Sequence, residues 1–149
     1  MRPAGLAVWQ ALQIATKLAV PGNTTGEIDV AVRDYYEQLD AEPLFLNYPN
    51  STLGKAAFPG VTCTSVNQQV VHGIPGDRVL REGDVLSIDT GCRIHNWCGD
   101  SAVTLPIGEI DPETQRLLDV TAETLQMAID LTPQKQKWSE VAAEMQAFV

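Results

Sequence analysis

The chain has 149 residues, with ten Lys or Arg against nineteen Asp or Glu, so its formal net charge is −9 at pH 7. This acidic balance disfavours nucleic acid or an anionic membrane as a partner, because phosphate binding depends on clusters of Lys and Arg. With 44% hydrophobic and 19% charged residues, the composition is that of a folded domain and not of a disordered chain. No apolar run reaches the roughly eighteen residues of a membrane span, no signal peptide is visible, and three cysteines without CxxC spacing favour a reducing compartment such as the cytoplasm.

The chain is predicted to begin with two helices. Residues 4–20 are apolar, and this helix should stop at Pro21-Gly22. A second helix is predicted to start at Thr24 or Thr25, because Thr24 and Glu27 have the spacing of a capping box. The apolar residues of its predicted buried stripe are Ile28, Val32, Tyr35 and Leu39.

The middle of the chain is predicted to be a long loop followed by strands. Residues 42–60 contain three prolines, two glycines and two asparagines, and a loop of that length usually binds something or moves. One or two strands are predicted over residues 61–71. Residues 85–92 and 97–105 are predicted to form a hairpin, joined through residues 93–96.

The last forty residues are predicted to be helical. Asp111-Pro112-Glu113 has the N-cap, the proline and the first-turn acid of a helix start, and this helix should run to about Leu131. A fourth helix is predicted from Ser139, with Val141, Ala142, Met145, Phe148 and Val149 on one side. Because that apolar face is unmatched and no C-cap glycine follows, we expect Val149 to be a cut within a longer domain.

Two aspartates on the predicted hairpin are the first candidate site residues. If the turn is centred between Ile94 and His95, Asp89 and Asp100 lie directly opposite each other on a face of small residues. Opposed carboxylates repel, so either one is protonated or a cation lies between them, and oxygen ligands this close suit one or two divalent metal ions. Alternatively, both aspartates are solvated on an exposed face, or the register slips by one residue.

His72 is a third candidate, at the predicted end of a strand in Val70-Val71-His72-Gly73-Ile74-Pro75. The Gly and Pro that follow it restrict the backbone, so the ring can point into a cleft, donate a hydrogen bond to a substrate carbonyl or bind metal. The alternative is a structural histidine with no role in a site.

Cys92, His95 and Cys98 have the spacing Cys-x2-His-x2-Cys, which offers a rival zinc site. The predicted pairing places Cys92 and Cys98 on opposite faces of the sheet, and no fourth ligand lies nearby. The same opposition disfavours a disulfide between them.

Three sequence runs resemble type I methionine aminopeptidases. They are Cys63-Thr64-Ser65-Val66-Asn67-Gln68-Gln69-Val70-Val71-His72-Gly73-Ile74-Pro75, Gly83-Asp84-Val85-Leu86-Ser87-Ile88-Asp89 and Gly99-Asp100. The pattern Cys-x-Ser-x-Asn-x4-His-Gly-Ile-Pro distinguishes this family from the related aminopeptidase P and creatinase enzymes. The resemblance covers nearly the whole chain, and Trp138-Ser139-Glu140 resembles the helix start that precedes the family's second half.

The resemblance implies an α+β "pita-bread" (creatinase/aminopeptidase-like) fold, in which an antiparallel sheet with covering helices is repeated in two halves around a dinuclear metal site. Residues 1–149 would be the N-terminal portion of a single catalytic domain whose C-terminal half is missing after Val149. The implied activity is that of a metalloprotease which removes the initiator methionine during protein maturation, by attack of a metal-activated hydroxide on the first peptide bond.

The implied cofactors are two divalent cations, Co, Mn, Fe or Zn, among which two oxygen ligands do not discriminate. The implied substrates are the N-terminal Met-peptides of nascent proteins, with the ribosome as a candidate place of encounter. A cytoplasmic monomer without membrane or direct nucleic-acid binding is expected.

The resemblance also implies roles for individual residues. Asp89 and Asp100 would be two of five metal ligands, with Asp100 bridging the ions, and His72 would be the catalytic residue that contacts the substrate near the scissile amide. The lining of the methionine pocket would comprise Tyr48, Phe58 and Cys63, with His72 also binding substrate. An insertion at residues 49–57 shifts the alignment of Phe58.

The chain departs from the family in its ligand set. The remaining ligands, one histidine and two glutamates, belong to the family's second half, and neither His72 nor His95 matches the missing histidine. We therefore expect the 149-residue chain alone to bind metal weakly and to lack aminopeptidase activity. The alternatives are a non-catalytic pita-bread interaction module and an inactive acidic fragment; retention of Asp89, Asp100 and His72 favours the enzyme.

Overall fold

The computed structural model describes residues 1–52 and 54–149. Position 53, which falls within the predicted loop and the 49–57 insertion, lies outside the described residues. The chain divides into two units, Met1–Ile110 and Asp111–Val149, each described by itself below.

Two helices open the first unit, as predicted. Helix α1 spans Arg2–Leu18 and helix α2 spans Thr25–Gln38. The predicted capping box is confirmed, because the Glu27 N–H donates to Thr24 Oγ1 at 3.2 Å while the Thr24 N–H donates to Glu27 Oε2 at 2.6 Å. These bonds satisfy backbone donors that the first turn of a helix leaves free.

The predicted buried stripe of α2 is correct for its first half only. Ile28, Val32 and Tyr36 are fully buried, whereas Tyr35 is half-buried and Leu39 is 43% exposed. Thr25 and Asp29 are buried as well, so the buried face of α2 is centred between Ile28 and Asp29 and leaves Tyr35 at its edge. The Tyr36 hydroxyl is hydrogen-bonded to Thr90 Oγ1 at 3.1 Å, so the buried phenol has a partner.

The sheet has four antiparallel strands: β1 (Glu42–Pro43), β2 (Thr62–Val66), β3 (Val85–Ile94) and β4 (Trp97–Pro106). Strand β3 pairs over its whole length with β4, and along its other edge it pairs first with β2 and then with β1. Two predictions were therefore partly wrong. Residues 42–60 include a short strand, and residues 61–71 leave the sheet after Val66, because Asn67 turns the chain with a φ of +53°.

The hairpin register differs from the prediction by two residues. His95 and Asn96 alone form the turn, with φ values of +49° and +65°, so that Ile94 pairs with Trp97. Positive φ at both positions is the geometry of a type I′ two-residue hairpin loop, and this turn is centred one residue later than predicted. The direct opposition of Asp89 and Asp100 was wrong, because Asp89 pairs with Ala102 and Asp100 with Gly91.

The assignment of side chains to the two sheet faces is confirmed, because a shift of two residues preserves the alternation. Leu86, Ile88 and Cys92 are fully buried on the face that α1 covers. Contact is close at Gly99, where an added Cβ would lie 2.6 Å from the Ala4 carbonyl oxygen. The other face carries the two aspartates, and their neighbours on it include the small residues Ser87, Gly91 and Ala102.

The second unit consists of α3 (Pro112–Leu131) and α4 (Trp138–Phe148), as predicted. Asp111 is the N-cap of α3, and its Oδ1 accepts from the Glu113 and Thr114 N–H groups at 3.0 Å. Of the predicted apolar face of α4, Val141 is buried and Met145 half-buried. No helix in residues 1–52 and 54–149 combines the length and apolar character needed to cross a bilayer.

Candidate active site

A cleft of about 660 Å³ lies on the open face of the sheet, within the first unit. The structure brings all six predicted site residues, Tyr48, Phe58, Cys63, His72, Asp89 and Asp100, into its lining. The other lining residues are Phe45, Pro49, Asn50, Ser51, Ala56, Ala57, Pro59 and Ile74. The cleft therefore has an acidic end and an apolar wall.

The acidic end is formed by β3 and β4. Asp89 and Asp100 are diagonal neighbours on one face, a relationship that places residues roughly 7–8 Å apart between their backbones and allows their side chains to meet. Burial, and next the negative charge of Asp100, raises the pKa of Asp89 above its ordinary value. The two carboxylates thus interact, as expected, although they are not directly opposite.

This pair fits a divalent cation in its chemistry. No Lys or Arg belongs to the described lining of the cleft, and burial together with the charge of Asp100 outweighs the opposing effect of His72 on the pKa of Asp89. Carboxylate oxygens are suitable ligands for Mg, Mn and related ions. In the described part of the chain, no cluster of three or more His, Cys, Asp or Glu side chains could hold a metal ion, so these two oxygen donors are an incomplete ligand set.

His72 reaches the cleft through a fixed loop. Its backbone is left-handed, with a φ of +57°, and the next residue is docked on β2. The Gly73 N–H donates to Ser65 Oγ at 3.0 Å, and the Thr64 N–H donates to the Gly73 carbonyl at 2.8 Å. A Cβ at Gly73 would collide with the Thr64 carbonyl, so glycine is needed there and the exposed His72 ring is held at the cleft.

The start of the same loop is fixed by Asn67, a residue of the sequence pattern to which no role was assigned. Asn67 Oδ1 accepts from the Val85 N–H at 2.8 Å, and its Nδ2 donates to Asp84 Oδ1 at 2.8 Å. Burial opposes ionisation of Asp84, but hydrogen bonds from Asn67 and the Arg81 N–H, with the charge of Arg78, lower its pKa overall. The available signal was the Asn of the pattern Cys-x-Ser-x-Asn-x4-His-Gly-Ile-Pro.

Asp29 was also missed. It is 4% exposed, and its Oδ1 accepts three hydrogen bonds, each of 2.8 Å, from the Val61 N–H, the Thr62 N–H and the Thr62 hydroxyl. Arg33 donates to its other oxygen at 3.0 Å. Asp29 therefore fixes the beginning of β2, next to Cys63, and its signal was a carboxylate adjacent to the apolar stripe of α2.

The apolar wall combines loop and strand residues. Tyr48 is 67% exposed, Phe58 is half-buried, and Cys63 is 6% exposed on β2, paired with Asp89. Burial, followed by the charges of Asp89 and Asp100, raises the pKa of the Cys63 thiol to about 11. At neutral pH this thiol is protonated and weakly polar, as an apolar pocket requires.

The rival zinc arrangement is not formed. Cys92 is buried on the helix-covered face and Cys98 is exposed on the other, so the two cysteines point apart as the pairing predicted. All three cysteines are free thiols.

Comparison with known proteins identifies the family that this chain resembles. A profile of metallopeptidase family M24 matches residues 39–149. The methionine aminopeptidase of Clostridium acetobutylicum is 35% identical over 150 residues, covering all of this chain and 57% of that protein, and methionine aminopeptidase 1 of Bacillus subtilis is 36% identical with the same coverages. The crystal structure of methionine aminopeptidase from Thermotoga maritima superimposes with a TM-score of 0.79 at 38% identity, covering 87% of this chain and 49% of that one.

These matches confirm the pita-bread fold class. The chain spans about half the length of the curated relatives it matches. The match to the family profile extends over about three-quarters of the sequence, including every strand of the sheet and both aspartates. The chain therefore belongs to metallopeptidase family M24.

Proposed function

We propose that this chain contributes half of the active site of a methionine aminopeptidase, a metalloexopeptidase that removes the initiator methionine from nascent proteins. The observation that carries the proposal is the convergence of the acidic pair, His72 and an apolar wall in one cleft of about 660 Å³. The curated relatives are named for this activity, and their sequences align with all of this chain.

In this proposal, Asp89 and Asp100 would hold divalent cations, with Asp100 as the bridge between two of them. When bound, such ions supply Lewis-acid chemistry, making water acidic and polarising a carbonyl near neutral pH. Co, Mn, Fe and Zn are the candidate ions. Binding of cations also relieves the repulsion that raises the pKa of Asp89.

The remaining residues would bind and orient the substrate. His72 is the catalytic residue that donates a hydrogen bond to the peptide group, and its rigid attachment to β2 through Gly73 fixes the direction of that bond. The protonated thiol of Cys63 and the rings of Tyr48 and Phe58 would receive the flexible thioether of methionine.

The acidic end explains an exopeptidase better than an endopeptidase. A free N-terminal amine is cationic, and the cleft lining offers it two carboxylates with no competing Lys or Arg among the described residues. Peptides that begin with Met are therefore the proposed substrates. In this proposal, a monomeric enzyme encounters them in the cytoplasm, at the ribosome.

Two of the five implied ligands lie in this chain, so we expect the isolated 149-residue chain to bind metal weakly and not to turn over substrate. Metal binding is tested by titrating Mn²⁺ into ¹⁵N-labelled protein and following paramagnetic broadening of amide signals residue by residue. Broadening should centre on the amides of Asp89 and Asp100 and should be lost there in Asp89→Asn. Asp34→Asn, at an exposed position of α2, is the matched control and should retain it.

Equal broadening around Asp100 in Asp89→Asn and in the control would refute the metal assignment. Hydrolysis of Met-Ala-Ser with Mn²⁺ or Co²⁺ is the activity test. Robust turnover by the isolated chain would contradict the expectation that this ligand set is insufficient.

A further inference from the structure

The His72 loop, residues 67–76, is attached at its far end to the beginning of α2. Thr25, the first residue of that helix, is 1% exposed, and its hydroxyl donates to the Gly76 carbonyl at 3.1 Å and accepts from the Gly76 N–H at 3.0 Å. The Gly26 N–H donates to the same carbonyl at 2.8 Å. One side chain of α2 therefore holds both polar groups of a loop residue that lies 51 positions away.

A stiff segment connects this attachment to His72. Pro75 has a fixed φ, and it restricts the residue before it to extended conformations. Pro75 also packs against the backbone just before β2, since a Cβ at Gly60 would lie 2.6 Å from Pro75 Cγ. Gly73, which follows His72 directly, is docked on β2 by the two hydrogen bonds described above. A displacement of Gly76 is therefore transmitted towards His72 and is not absorbed by a flexible chain.

The residues just before His72 are loosely packed. Val70 and Val71 are 86% and 64% exposed, so they bury little surface against the sheet. His72 is exposed as well, and its left-handed backbone is uncommon for a residue other than glycine. Such conformations persist only where surrounding contacts impose them. The restraint on His72 therefore comes from its C-terminal side, through Gly73 and then Gly76.

We propose that Thr25 is a positioning residue for His72, on which it acts through Gly76 and the stiff segment between them. Its relevance to catalysis rests on the proposed function, in which His72 donates a hydrogen bond to the peptide group. The positioning itself is measured on the metal-free chain without peptide. Its failure would leave the metal test at Asp89 and Asp100 unaffected, and failure of the metal test would leave the positioning unaffected.

The test separates the hydroxyl of Thr25 from its methyl group. Thr25→Val keeps the shape of the side chain but loses both bonds to Gly76, whereas Thr25→Ser keeps the hydroxyl and loses the methyl group. The readout is the ¹⁵N-relaxation order parameter of the His72 amide. It should fall from about 0.85 to below about 0.6 in Thr25→Val, and Thr25→Ser should restore it to about 0.8. An unchanged value in Thr25→Val, or a larger fall in Thr25→Ser, would overturn the proposal.

Thr24→Val is the matched control, because it makes the same change one residue earlier at the same helix end. The Thr24 hydroxyl belongs to the capping box with Glu27, so its loss should weaken the cap but leave the order parameter of His72 unchanged. An equal fall in Thr24→Val and Thr25→Val would show that fraying of α2 loosens the loop, and the specific role of the Thr25 hydroxyl would be refuted.

Amide hydrogen exchange of the unmodified chain tests the same proposal should Thr25→Val fail to fold. The Thr64 N–H donates to the Gly73 carbonyl and the Gly76 N–H donates to Thr25, so these two amides report the two attachments separately. If the stiff segment couples the attachments, they open together, and the two protection factors should agree within about threefold. A well-protected Thr64 amide with an unprotected Gly76 amide would overturn the proposal, because His72 would then stay docked without Thr25.

Discussion

Asp29 should be a major contributor to the stability of the first unit, and its replacement is the sharpest test of how the cleft is held. Asp29→Ala removes the acceptor of three hydrogen bonds at 2.8 Å. Val61 and Thr62, which supply the donors, are fully buried, so water cannot replace the carboxylate without opening the structure.

The expected magnitude follows from these contacts. Each buried donor left without a partner costs about 1–3 kcal/mol, so three donors set a ceiling of about 9 kcal/mol. Relaxation and entry of water reduce this sum, and we expect a loss of about 3–5 kcal/mol in the free energy of unfolding, as for other broken buried pairs. The ion pair with Arg33, whose side chain is 35% exposed, adds less than about 1 kcal/mol of this.

The assay is urea unfolding followed through the amide signals of β3, which report the first unit. Asp29→Asn keeps an acceptor oxygen and the shape of the side chain, and should lose only about 1–2 kcal/mol. Asp34→Ala, exposed on the same helix, should stay within about 0.5 kcal/mol of the unmodified chain. An Asp29→Ala chain as stable as the Asp34→Ala control would refute the view that this carboxylate anchors β2.

Three further outcomes are expected. Gly73→Ala should displace the His72 loop, because its Cβ collides with the Thr64 carbonyl, and the Thr64 amide signal should shift while signals from the second unit stay in place. Asp100→Asn should lower the pKa of Asp89 in a carboxyl NMR titration. The raised folded-state pKa of Asp89 makes the metal-free chain lose stability as pH rises above about 3.9. The variant should therefore lose less stability over the same pH range, and identical pH profiles would contradict the coupling between the two aspartates. Thr24→Ala should cost about 1 kcal/mol of unfolding free energy by removing the capping box, and a loss below a few tenths would show that the cap is dispensable.

Patterns repeated over many residues could be predicted from the sequence. The helix bounds rest on caps, prolines and apolar periodicity, each of which acts within one or two turns of the chain. The division of the hairpin into a core face and an acidic face rests only on alternation. It therefore survived an error of two residues in register, and Asp89 and Asp100 remained neighbours.

The features that escaped prediction depend on contacts between distant parts of the chain. The centre of the turn was misplaced because His95 and Asn96 adopt positive φ, which no periodic pattern indicates. The bonds of Asp29 to Val61 and Thr62 join residues more than thirty positions apart. Such partners are chosen by the packed fold, and a sequence shows only that a polar residue stands in an apolar context.

The central position of β3 has a consequence for ligand design. Cys63 on β2 pairs with Asp89, and Asp100 on β4 pairs with Gly91, so their backbones are separated by two interstrand spacings across the sheet, roughly 9–10 Å, and by two residues along it. Backbone pairing sets this width, and side-chain substitutions leave it constant. A compound that reaches from the Cys63 thiol to the Asp100 carboxylate can therefore be designed for a fixed backbone separation. Its selectivity can then be adjusted through substituents that contact other residues of the cleft.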